Sequence, residues 1–530
     1  MDIPRDFNAT TWFVDRHVAE GRAKRVAIRY DGQDITYGDV LAGANRCGNA
    51  LRRIGVRMEQ RVLLLLPDCP EFVYAFWGAL KIGAVPIPTN TLLKPRDYEY
   101  ILNDSRAEVA VVGEELAPAI EEVRPRLRFL HQLVVAGRAG PGQVGLSELV
   151  AEEPADLDAA ATTKDDIAFW LYTSGTTGTP KAAVHLQHDM VVCCEGYGRH
   201  VLEIGPDDRC FSVARLFFAY GLGNALYFPF HVGASTVLFP RRPEPVKAFE
   251  LLTRERPTLF FAVPTAFAAM LQVPNAERTY DLRSVRLCLS AGEPLPKPIY
   301  ERWLERFRLE ILDGIGSTEL CHTFIANRRG QVRPGSSGTL VPGYDARIVD
   351  DDGCDVPPGE VGNLLVQGDS ACAGYWNQHE RSKQTFVGEW VRTGDKYRRD
   401  PDGCFWYAGR SDDMIKAGGM WVSPAEVESA LAEHPAVVEA GVVGAAGRDE
   451  LVKPLAFVVL APGHAPSPAL EEELKGFVKQ RLAVYKYPRW IVFVPELPKT
   501  ATGKIQRFRL REIANRRTGK AKARRTDAQR

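Results

Sequence analysis

Between Tyr172 and Lys181 the chain reads Tyr-Thr-Ser-Gly-Thr-Thr-Gly-Thr-Pro-Lys. Hydroxyls at Thr173, Ser174, Thr176 and Thr177 flank Gly175 and Gly178, and Lys181 follows. Glycines let several backbone N–H groups converge on one point, hydroxyls add donors, and an ammonium adds charge. That combination suits a polyphosphate. No Gly-Lys-Ser/Thr closes the loop, so it is not the P-loop of kinases and GTPases. A plain surface turn would not gather so many donors beside two glycines. By contrast, Gly140-Pro141-Gly142-Gln143-Val144-Gly145 matches a dinucleotide-binding pattern only in its spacing. A proline lies inside its turn, and Pro154 stops the following helix after about two turns, so it carries no weight.

Further segments fall in a fixed order. They are Ser290-Ala291-Gly292-Glu293, Asp313-Gly314-Ile315-Gly316-Ser317-Thr318-Glu319, Arg392-Thr393-Gly394-Asp395, Gly409 to Lys416, and Pro498 to Lys504. Together with the hydroxyl-rich loop they resemble the motifs of the adenylate-forming enzymes. This superfamily contains acyl-CoA synthetases, peptide-synthetase adenylation domains and luciferase. The likeness reaches to about residue 512.

Taken as expectations, the resemblance places Thr173 to Lys181 on the phosphates of ATP. It sets Ala291, Gly292 and Glu293 against adenine, and 313–318 beside the nucleotide. Glu319 becomes a Mg²⁺ ligand; magnesium takes one or two carboxylates plus phosphate oxygens, so one Glu is enough. Asp395 and Arg410 fall to the ribose; an ionised carboxylate at Asp395 suits two hydroxyl donors. Lys504 is expected to reach the substrate carboxylate and the α-phosphate, offsetting the repulsion of two approaching anions.

The implied reaction has two halves. A carboxylate displaces pyrophosphate from ATP, and a thiol then displaces AMP from the acyl-adenylate. The family rotates its small domain between the halves. Asp412 matches the hinge. Lys416, Gly418, Gly419 and Trp421 are then expected to serve the second half, with the glycines leaving room for the pantetheine arm of coenzyme A.

The segments Arg215 to Asn224 and Asp313 to His322 resemble the benzoate-CoA ligase branch. Phe218, Ala219, Tyr220, Gly221, Ile315 and His322 are the expected acyl pocket, bulky and apolar with flat space at Ala219. Ile315 stands where many members carry a tyrosine that stacks on adenine. Hydroxybenzoate or aminobenzoate is the neighbouring substrate class, because one polar lining residue would decide between them. A carrier-protein-loading adenylation enzyme would share every motif.

Elements must position these residues. Val62 to Leu66, Glu71 to Ile82 and Ala84 to Pro88 read as strand, helix, strand, a parallel α/β signature. The pattern recurs at Thr258 to Val263, a helix to about Gln272, and Val285 to Ser290. Residues 335–410, glycine-rich with short β-like runs, read as a small antiparallel, barrel-like unit. The fold class is therefore α/β. Two doubly wound subdomains and a small β-barrel-like subdomain form a large N-terminal domain (1–411). A mobile α+β domain follows (412–515), then a basic tail (516–530) expected to lack regular structure.

Composition excludes other classes. Over 530 residues, 67 basic side chains match 67 acidic ones, 45% of residues are apolar and 25% charged. That argues against a polyanion-coating or disordered protein, and so against nucleic acid as a partner. The neutral total nevertheless hides an asymmetry, since residues 474–530 hold seventeen Lys or Arg and three Asp or Glu. Leu216 to Pro240 carries no Asp, Glu, Lys or Arg. Its glycines and Pro229 interrupt any spanning helix, so it reads as a buried core segment or an apolar pocket wall rather than a membrane span. Ten scattered cysteines without a C-x-x-C, and an N-terminus without a secretory signal, fit free thiols in the cytoplasm. Oligomeric state is not given, and a homodimer is left open.

Overall fold

A computed structural model of the chain describes residues 2–174, 180–241, 243–410, 413–417, 420–446, 452–482, 484–499 and 505–526. Two parallel-rich sheets dominate its first three hundred residues. In one, Val85–Pro88, Arg61–Leu65, Val109–Gly113, Gln132–Ala136 and Val144–Gly145 lie side by side, all parallel. These strands are short apolar runs because helices cover both faces. One such helix, Pro70–Lys81, begins at a proline, where the missing N–H costs nothing.

The other sheet has nine strands, with a parallel centre running through Ile311–Gly316, Leu287–Ser290, Leu259–Ala262, Arg209–Ser212 and Ser235–Leu238. The strands at one edge come from distant sequence. Val26–Tyr30 pairs in parallel with Ser235–Leu238, Ile28 opposite Thr236. Residues 1–165 are therefore not one structural unit: their first hairpin completes the second sheet.

The strand Ile167–Ser174 belongs to neither sheet. It pairs antiparallel with Pro180–Leu186, Thr173 opposite Lys181, so the described ends of the hydroxyl-rich segment lie on two paired strands. The glycine-rich region forms an antiparallel sheet of Tyr344–Val349, Gly362–Gly368, Phe386–Val387, Trp390–Arg399 and Phe405–Arg410. Its ladders do not join end to end, so among the described residues the antiparallel, barrel-like unit is an open sheet.

After a hairpin of Ile415–Ala417 and Met420–Val422, the last unit packs helices on the sheet Val437–Ala446, Val452–Leu460 and Trp490–Phe493. Its first helix, Pro424–Ala432, starts where Ser423 accepts the Glu426 N–H at 3.2 Å and proline takes the first helical position. The expectation of an unstructured tail is corrected: the last helix runs Arg507–Thr526. Leu510 and Ala514, buried on the sheet, anchor its first turns, and Ala, Arg and Lys favour its continuation. All ten cysteines are free.

Candidate active site

The charge-free segment folds as three short helical pieces, Ala219–Leu222, Gly223–Tyr227 and Phe228–Val232, closed by Gly233 with φ of 76°. No helix among the described residues is long and apolar enough to cross a membrane. The segment instead supplies one wall of a cavity of about 330 Å³. Phe217, Phe218, Ala219 and Tyr220 line this wall. Ala291, Gly292 and Glu293, then Gly316, Ser317 and Thr318, line the facing one, and His322 completes it. Motifs read separately as nucleotide and acyl segments thus share a single space.

Two members of the expected acyl pocket are not on that wall. Gly221 lies behind it; a Cβ there would sit 2.0 Å from the Arg215 carbonyl oxygen, so only glycine fits this approach. Ile315 is consumed by its pairing with Ile325, partly buried against the core. Asp313 is also off the wall, 5% exposed, its Oδ2 accepting the Leu295 N–H at 3.3 Å. Burial pushes its carboxyl up to about 8, against the pull of that N–H. Gly314, its neighbour, is hidden within the strand, opposite Ala326.

His322 is buried and both ring nitrogens are engaged. Nε2 lies 3.2 Å from the Tyr220 carbonyl, to which it donates, leaving Nδ1 to accept from the Thr323 hydroxyl at 3.0 Å. Burial pulls its pKa down to about 3, so the ring is neutral at any working pH.

The loop carrying Phe217 and Phe218 is braced from the first sheet. Asp68, which sequence reasoning missed, accepts the Leu216 N–H at 3.1 Å and faces Arg215 at 3.4 Å. Arg215 in turn donates to the carbonyls of Phe239 and Pro240 at 2.9 and 2.6 Å.

Beside the cavity, Lys181 and Glu319 meet at 3.1 Å. Tyr375, also absent from the sequence reading, donates to Glu319 Oε1 at 2.6 Å, and Lys181 donates to the Tyr375 hydroxyl. Burial alone would raise the Glu319 carboxyl, but the Lys181 charge and the Tyr375 hydroxyl hold it below its ordinary value. An ionised carboxylate one residue past a hydroxyl, beside the hairpin that carries Lys181, is a donor set that fits Mg²⁺ held jointly with phosphate oxygens. His185, on the same hairpin, bridges Asp189 Oδ2 and the Thr318 carbonyl, both at 2.8 Å, and so ties the hairpin to the Thr318–Leu320 turn.

Asp395 and Arg410 face each other on adjacent strands, 3.2 Å apart, away from the cavity wall. Gly394, with φ of 75°, lets Arg410 lie across the turn. Thr173 and Ser174 end the first hairpin strand. Gly175, Thr176, Thr177, Gly178, Asp412, Gly418, Gly419 and Lys504 lie outside the described residues. Lys416 and Trp421 are opposite each other in the small hairpin, with only their backbone described.

Comparison with known proteins gives the family. The family model described as AMP-binding enzyme matches residues 15–376, and that described as AMP-binding enzyme C-terminal domain matches 426–504. The benzoate–CoA ligase of Thauera aromatica is 49% identical, covering 96% of this chain and 97% of its own. The 4-hydroxybenzoate–CoA/benzoate–CoA ligase of Rhodopseudomonas palustris is 46% identical over 96% of this chain and 94% of its own. The crystal structure of the anthranilate CoA ligase AuaEII in complex with anthranoyl-AMP superposes with a TM-score of 0.94 at 45% identity, covering 98% and 99% of the two chains. With two family models matched in order, the first over more than half its length, and full-length relatives this similar, the chain belongs to the AMP-binding, adenylate-forming enzymes.

Proposed function

We propose that this enzyme is an AMP-forming benzoate–CoA ligase: it joins benzoate to ATP as benzoyl-adenylate, releasing pyrophosphate, then transfers the benzoyl group to coenzyme A. The reading is carried by the chemistry around His322. A site built to read a ring hydroxyl leaves a buried polar group for it, and such a site rejects the analogue lacking that group strongly. Here the buried histidine beside Phe218 and Tyr220 is neutral, and its two nitrogens already have partners. His322 therefore adds an aromatic face to the acyl end and no vacant polar partner of its own, which favours the unsubstituted ring. The Thauera relative, named for benzoate, supports the same choice.

In this reading the hydroxyl-rich segment with Lys181 holds the β- and γ-phosphates, and Asp395 with Arg410 holds the ribose. Lys504 draws the carboxylate toward the α-phosphorus. Glu319 would hold Mg²⁺, which, when bound, offsets phosphate charge. The carboxylate oxygen forms its bond to phosphorus as the bond to pyrophosphate breaks. In the second half the thiolate of coenzyme A attacks the acyl carbonyl and AMP departs. Lys416, Gly418, Gly419 and Trp421 serve that half after rotation about Asp412.

The test is pyrophosphate release, with and without coenzyme A, across benzoate, 4-hydroxybenzoate, 2-aminobenzoate and cinnamate. We expect the highest kcat/KM for benzoate and a thioester formed with free coenzyme A. Preference for 4-hydroxybenzoate would sink the reading of the acyl pocket. Adenylate without thioester would point instead to a carrier-protein thiol.

A further inference from the structure

We propose that Tyr375 is a positioning residue for Glu319, holding its carboxylate in place when Lys181 leaves it for a phosphate. The proposal rests on the reading of Glu319 as the residue that holds Mg²⁺.

The geometry is a closed triangle. Lys181 Nζ is 3.1 Å from Glu319 Oε1, the Tyr375 hydroxyl donates to that same oxygen at 2.6 Å, and Lys181 also donates to the hydroxyl. The ammonium lies 3.9 Å from the centre of the Tyr375 ring. Both contacts to the carboxylate fall on Oε1, so Oε2 is left outside them. A phenol O–H facing a carboxylate oxygen is the donor of that pair.

Backbone holds Tyr375 rigidly between the two motifs it touches. Gly374 accepts the Val184 N–H at 3.0 Å, Trp376 donates to the Ala182 carbonyl at 3.0 Å, and Cys372 donates to the Glu319 carbonyl at 2.8 Å. Residues 372–376 are thus stitched to the hairpin strand Pro180–Leu186 on one side and to the Glu319 turn on the other. The ring packs on Phe386, 5.4 Å between centroids.

This arrangement separates two tasks. Before ATP binds, Lys181 and Glu319 neutralise each other. When a polyphosphate arrives, Lys181 has a stronger anion to meet, and Glu319 loses its cation partner. The Tyr375 hydroxyl is then the donor that remains on Oε1, and it keeps Oε2 free for a divalent cation. A phenylalanine at 375 would keep the ring packing and remove the hydroxyl, which is the donor to Glu319 and, before a polyphosphate arrives, an acceptor for Lys181.

The experiment is Mn²⁺ binding, followed by electron paramagnetic resonance, to the full-length enzyme in saturating ATP without aryl acid, so that no turnover occurs. Wild type, Tyr375→Phe and Glu319→Gln are compared, with the aryl-acid KM measured in parallel at saturating Mg²⁺. We expect Tyr375→Phe to weaken Mn²⁺ binding about tenfold or more, the lower end of the scale of one hydrogen bond to a charged group. Glu319→Gln should weaken it at least as much, with the acid KM of Tyr375→Phe unchanged. Wild-type Mn²⁺ affinity in Tyr375→Phe, with loss in Glu319→Gln, would overturn the role of Tyr375 alone. Unchanged affinity in both variants would overturn the metal reading of Glu319, and this inference with it. A rise in acid KM matching the loss of Mn²⁺ would mark a general loosening and also count against positioning.

Discussion

Asp313 holds a carboxyl where water barely reaches, 5% exposed and touched by the Leu295 N–H. Its folded pKa is raised to about 8 from an ordinary 3.8. The folded state therefore binds the proton more tightly than the unfolded chain does. Stability linked to that proton is complete below pH 4 and is lost as pH rises through 8. Asparagine offers the same acceptor without the charge. Asp313→Asn should gain stability relative to wild type as pH climbs from 5 to 9, by a few kcal/mol at most, since one pKa unit is about 1.4 kcal/mol. Urea unfolding of both proteins across that range checks it; parallel stability curves would show that Asp313 does not titrate there. Residues of this kind divide by how local their signal is. Lys181 and Glu319 each sit inside a motif that is legible along the chain. Tyr375 does not: its partners lie 194 and 56 positions away, and an isolated Gly-Tyr-Trp after a strand announces nothing. His322 was legible as a pocket residue, but its tautomer and its satisfied nitrogens are set by Tyr220, reached only through the fold.

The loop from Val213 to Tyr220 has no regular structure of its own before Ala219, and it needs an external brace. Asp68 supplies it from the end of Arg61–Leu65, receiving the Leu216 N–H and facing Arg215. Burial raises the Asp68 carboxyl to about 6, with Arg215 and the Leu216 N–H pulling it back, so it is mostly ionised at pH 7. Removing it leaves the buried Arg215 guanidinium bonded to two carbonyls but without a counter-charge, which costs up to about 3–5 kcal/mol. Asp68→Ala is expected to destabilise the large domain on that scale and to raise the aryl-acid KM about tenfold or more, with the ATP KM moving less. Asp68→Asn, which keeps an acceptor for Leu216, should lie between. An unchanged acid KM in Asp68→Ala would show that the wall does not depend on the brace. Elements defined by their own periodicity were readable to within about two residues: the expected helix Glu71 to Ile82 is Pro70–Lys81, and the expected strand Thr258 to Val263 is Leu259–Ala262. Pairing partners were not. That Val26–Tyr30 joins Ser235–Leu238 is a choice made by packing across two hundred residues, and strand spacing does not encode it. The last helix was missed because its outer turns lack apolar periodicity, while its anchors, Leu510 and Ala514, are two small cues before a basic run.

At the scale of the whole molecule, the neutral total is a cancellation between the large domain and the C-terminal tail. Residues 412–515 hold thirteen basic and thirteen acidic side chains and residues 516–530 seven basic and one acidic, so the small domain is neutral, its tail +6 and the large domain −6. The +14 of residues 474–530 overstates the field, because much of it is spent inside the domain. Arg507 pairs with Glu428, Arg511 with Asp413, Lys486 with Glu426, Arg481 with Glu433 and Lys499 with Glu439. What remains is a cationic tail on the domain that carries Lys504 toward substrates that are themselves anionic. Coenzyme A bears phosphates, whereas an aryl acid bears a single charge. A net positive surface raises the local concentration of the first more than of the second, and added salt screens that attraction over a Debye length of about 10 Å at 0.1 M. We therefore expect the KM for coenzyme A to rise severalfold between about 50 and 300 mM KCl, and the KM for benzoate to change far less. Both are measured from initial rates at fixed saturating Mg·ATP. A coenzyme A KM that is flat in salt would mean that the paired cations leave no field for the thiol substrate to feel. Equal slopes for the two substrates would mean that salt acts on the fold or on domain rotation rather than on capture of the phosphates.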